Sequence, residues 1–137
     1  MLQVKLRSDT KRGVRFMATI CLYQDTRHEE PLHWMQEVLG IGYISRRRDG
    51  MSELRINGFE QVRKILITLK PFIRFKAKQA DTLIDACALL AAKGINYFSE
   101  AELRNIVNLA FIIKCENYKS RSALTEEILC TRLGLTP

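Results

Sequence analysis

A chain of 137 residues, 47% of them apolar, can bury one sizeable core and is short for two, so a single domain is expected over 1–137. Its four cysteines, Cys21, Cys87, Cys115 and Cys130, form no CxxC pair and meet no histidine at ligand spacing, which argues against a zinc site or a disulfide framework and for buried thiols in a reducing, intracellular setting. No apolar run reaches bilayer-spanning length and no secretory pattern opens the chain, so no membrane partner is expected.

The net charge of +7 is unevenly carried. Residues 1–82 hold 16 Lys and Arg against 9 Asp and Glu, whereas 83–137 hold 6 of each. A basic first part followed by neutral C-terminal helices suggests a surface that faces a polyanion, and nucleic acid is the expected partner.

In chain order, Leu2, Val4 and Leu6 alternate with Gln3, Lys5 and Arg7, the period-two pattern of a half-buried strand. Turn residues fill 8–13, and alternation resumes over 14–23, with Phe16, Ala18, Ile20 and Leu22 on one side and Arg15, Met17, Thr19, Cys21 and Tyr23 on the other. That is a β-hairpin. Pro31 suits the first turn of a helix that runs to Leu39 and ends at Gly40. A second hairpin follows from Tyr43, turning at Asp49-Gly50, where both residues tolerate positive φ. In its arms Ile44, Leu54 and Ile56 point one way and Ser45, Arg47, Glu53 and Arg55 the other.

Helical spacing then runs from Gly58 to Leu69, broken by Pro71, and again over 76–94. Ser99 with Glu102 forms a capping box for the next helix, and Phe98 can staple onto Leu103. A last helix is expected from about Ser122 to Gly134. The leucine and isoleucine stripes of these helices read as core. The outward faces of the hairpins, which include part of the Arg46-Arg47-Arg48 run, are polar and mostly cationic. A twisted sheet with such a face can lie in the major groove of a duplex, where arginine reaches guanine O6 and N7; it can also be a plain solvated face with charges blunting its edges.

The order of hairpin, helix, hairpin and helices, together with "LGIGYI" and "LKPFIRFKAKQAD", resembles the LAGLIDADG homing endonucleases, above all the small single-motif members encoded in algal organelle group I introns. Leu39, Gly40, Ile41, Gly42, Tyr43 and Ile44 match the family segment that opens the second hairpin. Pro71, Phe72, Ile73, Lys76 and Gln79 match a later family segment, and "LYQDT" is similar to the one that carries an active-site glutamine. The resemblance covers about residues 1–90. It implies an α+β fold, a saddle of antiparallel hairpins backed by helices in the order αββαββα, here without the first helix.

The resemblance further implies that Gln3, Lys5, Arg7, Arg15, Met17, Thr19, Cys21, Ser45, Arg47, Glu53 and Arg55 face bases and phosphates. Lys76 would sit near the scissile phosphate and Gln24 would position solvent there. His28 stands where some relatives carry an arginine. The eponymous helix, which ends in the metal-binding acid, has no match within the 137 residues, and "DTLIDACALLA" near Asp81 lacks its glycines. No metal ligand is assigned, and Mg2+ enters only for an active nuclease. Asp25, next to Gln24, is the one acid along the strands that could approach.

The expectation is a nucleic-acid-binding protein related to such endonucleases, binding double-stranded DNA without cleaving it. Two alternatives stand beside it: half or a fragment of a Mg2+-dependent homing endonuclease cutting double-stranded DNA, and a scaffold on structured RNA such as ribosomal RNA. An apolar patch at the strand ends around Leu2, Val4 and Leu22 is expected to receive another protein chain. The resemblance would place the protein in a mitochondrion or chloroplast.

Overall fold

A computed structural model describes residues 1–117 and 123–136. The two alternating stretches at the start form strands β1 (Leu2–Leu6) and β2 (Val14–Asp25), with Arg7 N–H donating to the Gly13 carbonyl across the turn. A single 3-10 turn (Thr26–His28) leads into α1 (Glu30–Leu39), which closes on Gly40 in the left-handed conformation. Strands β3 (Tyr43–Arg46) and β4 (Met51–Asn57) follow, then α2 (Phe59–Leu69), α3 (Ala77–Ala92), α4 (Glu100–Cys115) and α5 (Glu126–Arg132).

The four strands form one antiparallel sheet in the order β1-β2-β4-β3, so the second hairpin docks through β4 onto the long strand β2. Helices cover one face. Val14 and Phe16 of β2 pack with Leu90 of α3, Ile106 and Val107 of α4 and Leu129 of α5. Ala18 and Ile56 pack with Val62 and Leu66 of α2, Leu83 and Cys87 of α3 and Ile113 of α4. Side chains such as Leu54, Ile56, Val62 and Ile106 are wholly buried, each contributing roughly 1.5–3 kcal/mol by removal from water. The charge boundary at residue 82 falls inside α3, which serves both clusters.

Ser99 accepts from Glu102 N–H and the Glu102 carboxylate accepts from Ser99 N–H, so the expected capping box opens α4, with Phe98 and Leu103 both buried. Two expectations need correction. The second hairpin does not turn on two residues of positive φ: Arg47 N–H donates to Met51 O, leaving Arg48, Asp49 and Gly50 as the loop, and only Gly50 has positive φ, at 80°. This is the three-residue loop with a left-handed glycine, and Asp49 stays on the ordinary side by accepting from Met51 N–H. The last helix starts at Glu126 under a Thr125 cap, and Ser122 lies outside the described residues. Of the expected apolar patch, Leu2, Val4 and Leu22 are each partly buried; Leu2 and Val4 pack against the core that α4 closes and, with Ala110, Phe111 and Ile113, line a mainly apolar hollow of about 340 Å³. Exposed apolar side chains include Met1 and Leu6 on the same hairpin, Trp34 and Val38 on α1, and Phe72 and Phe75 after α2, with Phe75 90% exposed.

Candidate nucleic-acid interface

The register puts the open face of the sheet into rows. On the first hairpin Gln3 lies opposite Met17 and Lys5 opposite Arg15. Farther along, Cys21, Arg55 and Tyr43 form one row across β2, β4 and β3, and Tyr23, Glu53 and Ser45 form the next. Every expected contact residue on the strands therefore shares this face, because successive side chains of a strand alternate sides. Two positions differ from the rest. Thr19 is 1% exposed, and its hydroxyl donates to Asn57 Oδ1 at 2.9 Å, which leaves it little to offer a ligand. Glu53 is 6% exposed.

The cations of this face divide into held and free. Arg7 grips Asp9 through two hydrogen bonds of 2.7 and 2.6 Å, which raises its pKa. Arg47 lies 2.9 Å from Asp49 and 5.8 Å from the Tyr23 ring centroid, a cation–π distance, and Arg55 lies 2.8 Å from Glu53. Among the described residues, Lys5 and Arg15 have no acidic partner within ion-pair distance, nor has Arg48 at the hairpin tip. The three consecutive arginines thus separate by side: Arg46 turns to Glu29, Arg47 to Tyr23 and Asp49, and Arg48 to solvent.

At the end of the sheet Glu29 ties three elements together. Its side chain, 11% exposed, accepts from Arg46 on β3, from the Ser52 hydroxyl on β4 and, at 3.5 Å, from His33 on α1. Arg46 first, then Ser52, draws its pKa from 4.5 to about 2. Sequence reasoning missed this network, as Glu29 and Arg46 stand far apart in the chain. It also left Tyr23 and Tyr43 out of the contact set, although alternation puts both on the open face.

Gln24 and Lys76 do not meet in one pocket. Gln24 lines a polar hollow of about 620 Å³ with Thr26, Arg27, His28, Glu29 and His33, and Lys76 is not on its wall. Lys76 instead precedes α3 in the left-handed conformation, φ 59°, a backbone state that costs a non-glycine residue about 1 kcal/mol or more. The acids near Gln24 are already engaged. Asp25 accepts from the Arg27 side chain and backbone, which holds its carboxyl well below the usual range. Among the described residues no three His, Cys, Asp or Glu side chains converge where they could hold a metal ion. The residues present therefore do not fit a magnesium site, since that ion is held by available carboxylate oxygens.

No family model matches the chain. The DNA endonuclease I-CvuI of Chlorella vulgaris is 28% identical over 82 residues, a match that covers 60% of this chain and about half, 51%, of that protein. A crystal structure of I-CvuI in complex with a DNA target in the presence of magnesium, its DNA not cleaved, superposes with a TM-score of 0.85 at 22% identity over 99% of this chain and 86% of that one. The fold is that of the LAGLIDADG homing endonucleases. The archaeal intron-encoded homing endonuclease I-Vdi141I, complexed with DNA, shares it at a TM-score of 0.84 and 20% identity, over 97% of this chain and 84% of that one. The LAGLIDADG endonuclease I-SmaMI, bound to cleaved DNA, does so at 0.74 and 20% identity, over all of this chain and 44% of that one. The LAGLIDADG resemblance noted in the sequence thus extends to the C-terminal helices, which align with the rest. Among the described residues no helix is long and apolar enough to cross a membrane.

Proposed function

We propose that the chain binds double-stranded DNA along the open face of its sheet, as a relative of the homing endonucleases that does not cut by itself. The observation that carries this reading is Lys5 directly opposite Arg15, both exposed. Like charges facing each other across an antiparallel pair destabilise the sheet by roughly 0.2–1 kcal/mol, and a phosphate backbone laid over them reverses the sign. Lys5, Arg15 and Arg48 then position the duplex on its phosphates, while Arg47 and Arg55 reach base edges. The related folds solved on DNA support duplex DNA as the ligand.

The same reading includes no cutting by this chain alone. Phosphodiester hydrolysis by a bound metal needs free carboxylates, and Asp25 and Glu29 are committed to Arg27 and Arg46. Gln24 and Lys76 can orient water and neutralise a phosphate but cannot hold a hard cation. A carboxylate from another segment or chain would be needed to complete such a site.

The test is a mobility shift of mixed-sequence duplex DNA against RNA hairpins of equal charge at several salt concentrations, with Mg2+ or Mn2+ incubation and end-sequencing in parallel. Duplex DNA should bind better, with strong salt dependence and no new ends. Preference for RNA, whose deep narrow major groove excludes side chains, would overturn the DNA reading. Specific cuts lost in Asp25→Asn would overturn the non-cutting reading.

A further inference from the structure

We infer that Arg55 and Glu53 act as one unit that reads a single G·C base pair in a fixed orientation. The inference rests on duplex DNA being the ligand and adds what the second hairpin does with it. An acid buried to 6% exposure on a cationic face repels phosphates, so it needs a reason to be there. Its carboxylate Oε1 lies 2.8 Å from Arg55 Nη2, and the two side chains are two residues apart on β4, hence on the same face. The Arg55 Nε is buried without an acceptor, so only the Nη edge of the guanidinium, on a side chain 33% exposed, is available to a ligand.

The unit is held in place from both sides. Arg55 lies between Cys21 and Tyr43, and Glu53 between Tyr23 and Ser45. What it offers outward is the Nη edge of Arg55, held in direction by the largely buried Glu53 carboxylate. The guanine of a G·C pair offers the complement in the major groove, where N7 and O6 both accept. An A·T pair sets the adenine N6 amino group against one of the arginine donors, and a reversed pair sets the cytosine amino group there. Both leave like against like. Lys5 and Arg15, free and without an acceptor at hand, suit backbone contacts that carry no such code.

The experiment is selection from a randomised duplex library, with RNA hairpins as competitor, using the full chain and the variants Arg55→Ala, Arg55→Lys, Glu53→Gln and Arg15→Ala, each checked for folding by thermal melting. The wild-type chain should enrich duplexes with one G·C position favoured roughly 5- to 150-fold over the other base pairs. Arg55→Ala should level that position alone. Arg55→Lys keeps the charge but loses the fork, so it should keep the affinity for duplexes lacking the favoured pair and lose the preference, which decides the matter even where alanine unfolds the sheet. Glu53→Gln should weaken the preference at the same position, and Arg15→Ala should weaken all sequences together. An enriched set that is the same in the Arg55 and Glu53 variants would overturn the inference and leave DNA binding standing. A wild-type chain that enriches no duplex, or yields to the RNA, would overturn both.

Discussion

Replacing Lys5 and Arg15 together by alanine should move stability and affinity in opposite directions. In the free protein the two cations face each other across β1 and β2 with no acid within ion-pair distance among the described residues, so their loss relieves a repulsion worth roughly 0.2–1 kcal/mol. On DNA the same change removes two phosphate contacts. Each contact contributes about 0.9 to the slope of log affinity against log salt, so the slope should flatten by about 1.8. Between 50 and 200 mM salt the wild-type chain should then lose about 12-fold more affinity than the variant, the fourfold salt change raised to that power. Fluorescence anisotropy on one labelled duplex across that range measures the first quantity, and thermal unfolding without DNA measures the second. An unchanged slope would remove the first hairpin from the interface. A lower melting temperature would show that the pair stabilises the sheet, and the argument from repulsion would fail.

Glu29 should make the fold sensitive to acid. Its folded pKa of about 2 lies below the ordinary 4.5, so its contribution is complete above about pH 4.5 and is lost as pH falls toward 2; in Glu29→Gln the urea midpoint should fall less over that window, and an identical pH profile would refute the role. Gly42→Ala should destabilise by roughly 2 kcal/mol or more, because φ is +100° and a Cβ would sit 2.9 Å from Ile56 Cγ1 and 3.0 Å from the Arg55 carbonyl; chemical denaturation reads it. Ser99→Ala should cost about 1 kcal/mol through loss of the α4 cap, checked in the same way, with Ser99→Asp restoring most of it.

Much of the sheet could be read from the chain because a strand writes its two faces alternately, and Leu54, Ile56, Val14 and Phe16 are buried where that period puts them. Pairing partners are another matter. Glu29 to Arg46 and Thr19 to Asn57 join residues far apart in sequence, and no local period announces them. How far Leu2 and Val4 are covered is likewise a long-range matter, since the residues that pack on them come from α4, more than a hundred positions away. Yet one part of the electrostatics was in the sequence. Arg7, Arg27, Arg47 and Arg55 each have an acid two positions away, at Asp9, Asp25, Asp49 and Glu53, and each forms that pair, whereas Lys5 and Arg15 have none at that spacing. Only Arg55 and Glu53 share a strand, whose repeat is two residues; the other three pairs close locally where the chain turns after β1, β2 and β3. Net charge therefore overstates what this surface offers a polyanion. Under the proposed reading, the uncompensated cations of the first hairpin hold the phosphates, and the compensated ones of the second, fixed in direction by their acids, are the ones able to discriminate between bases.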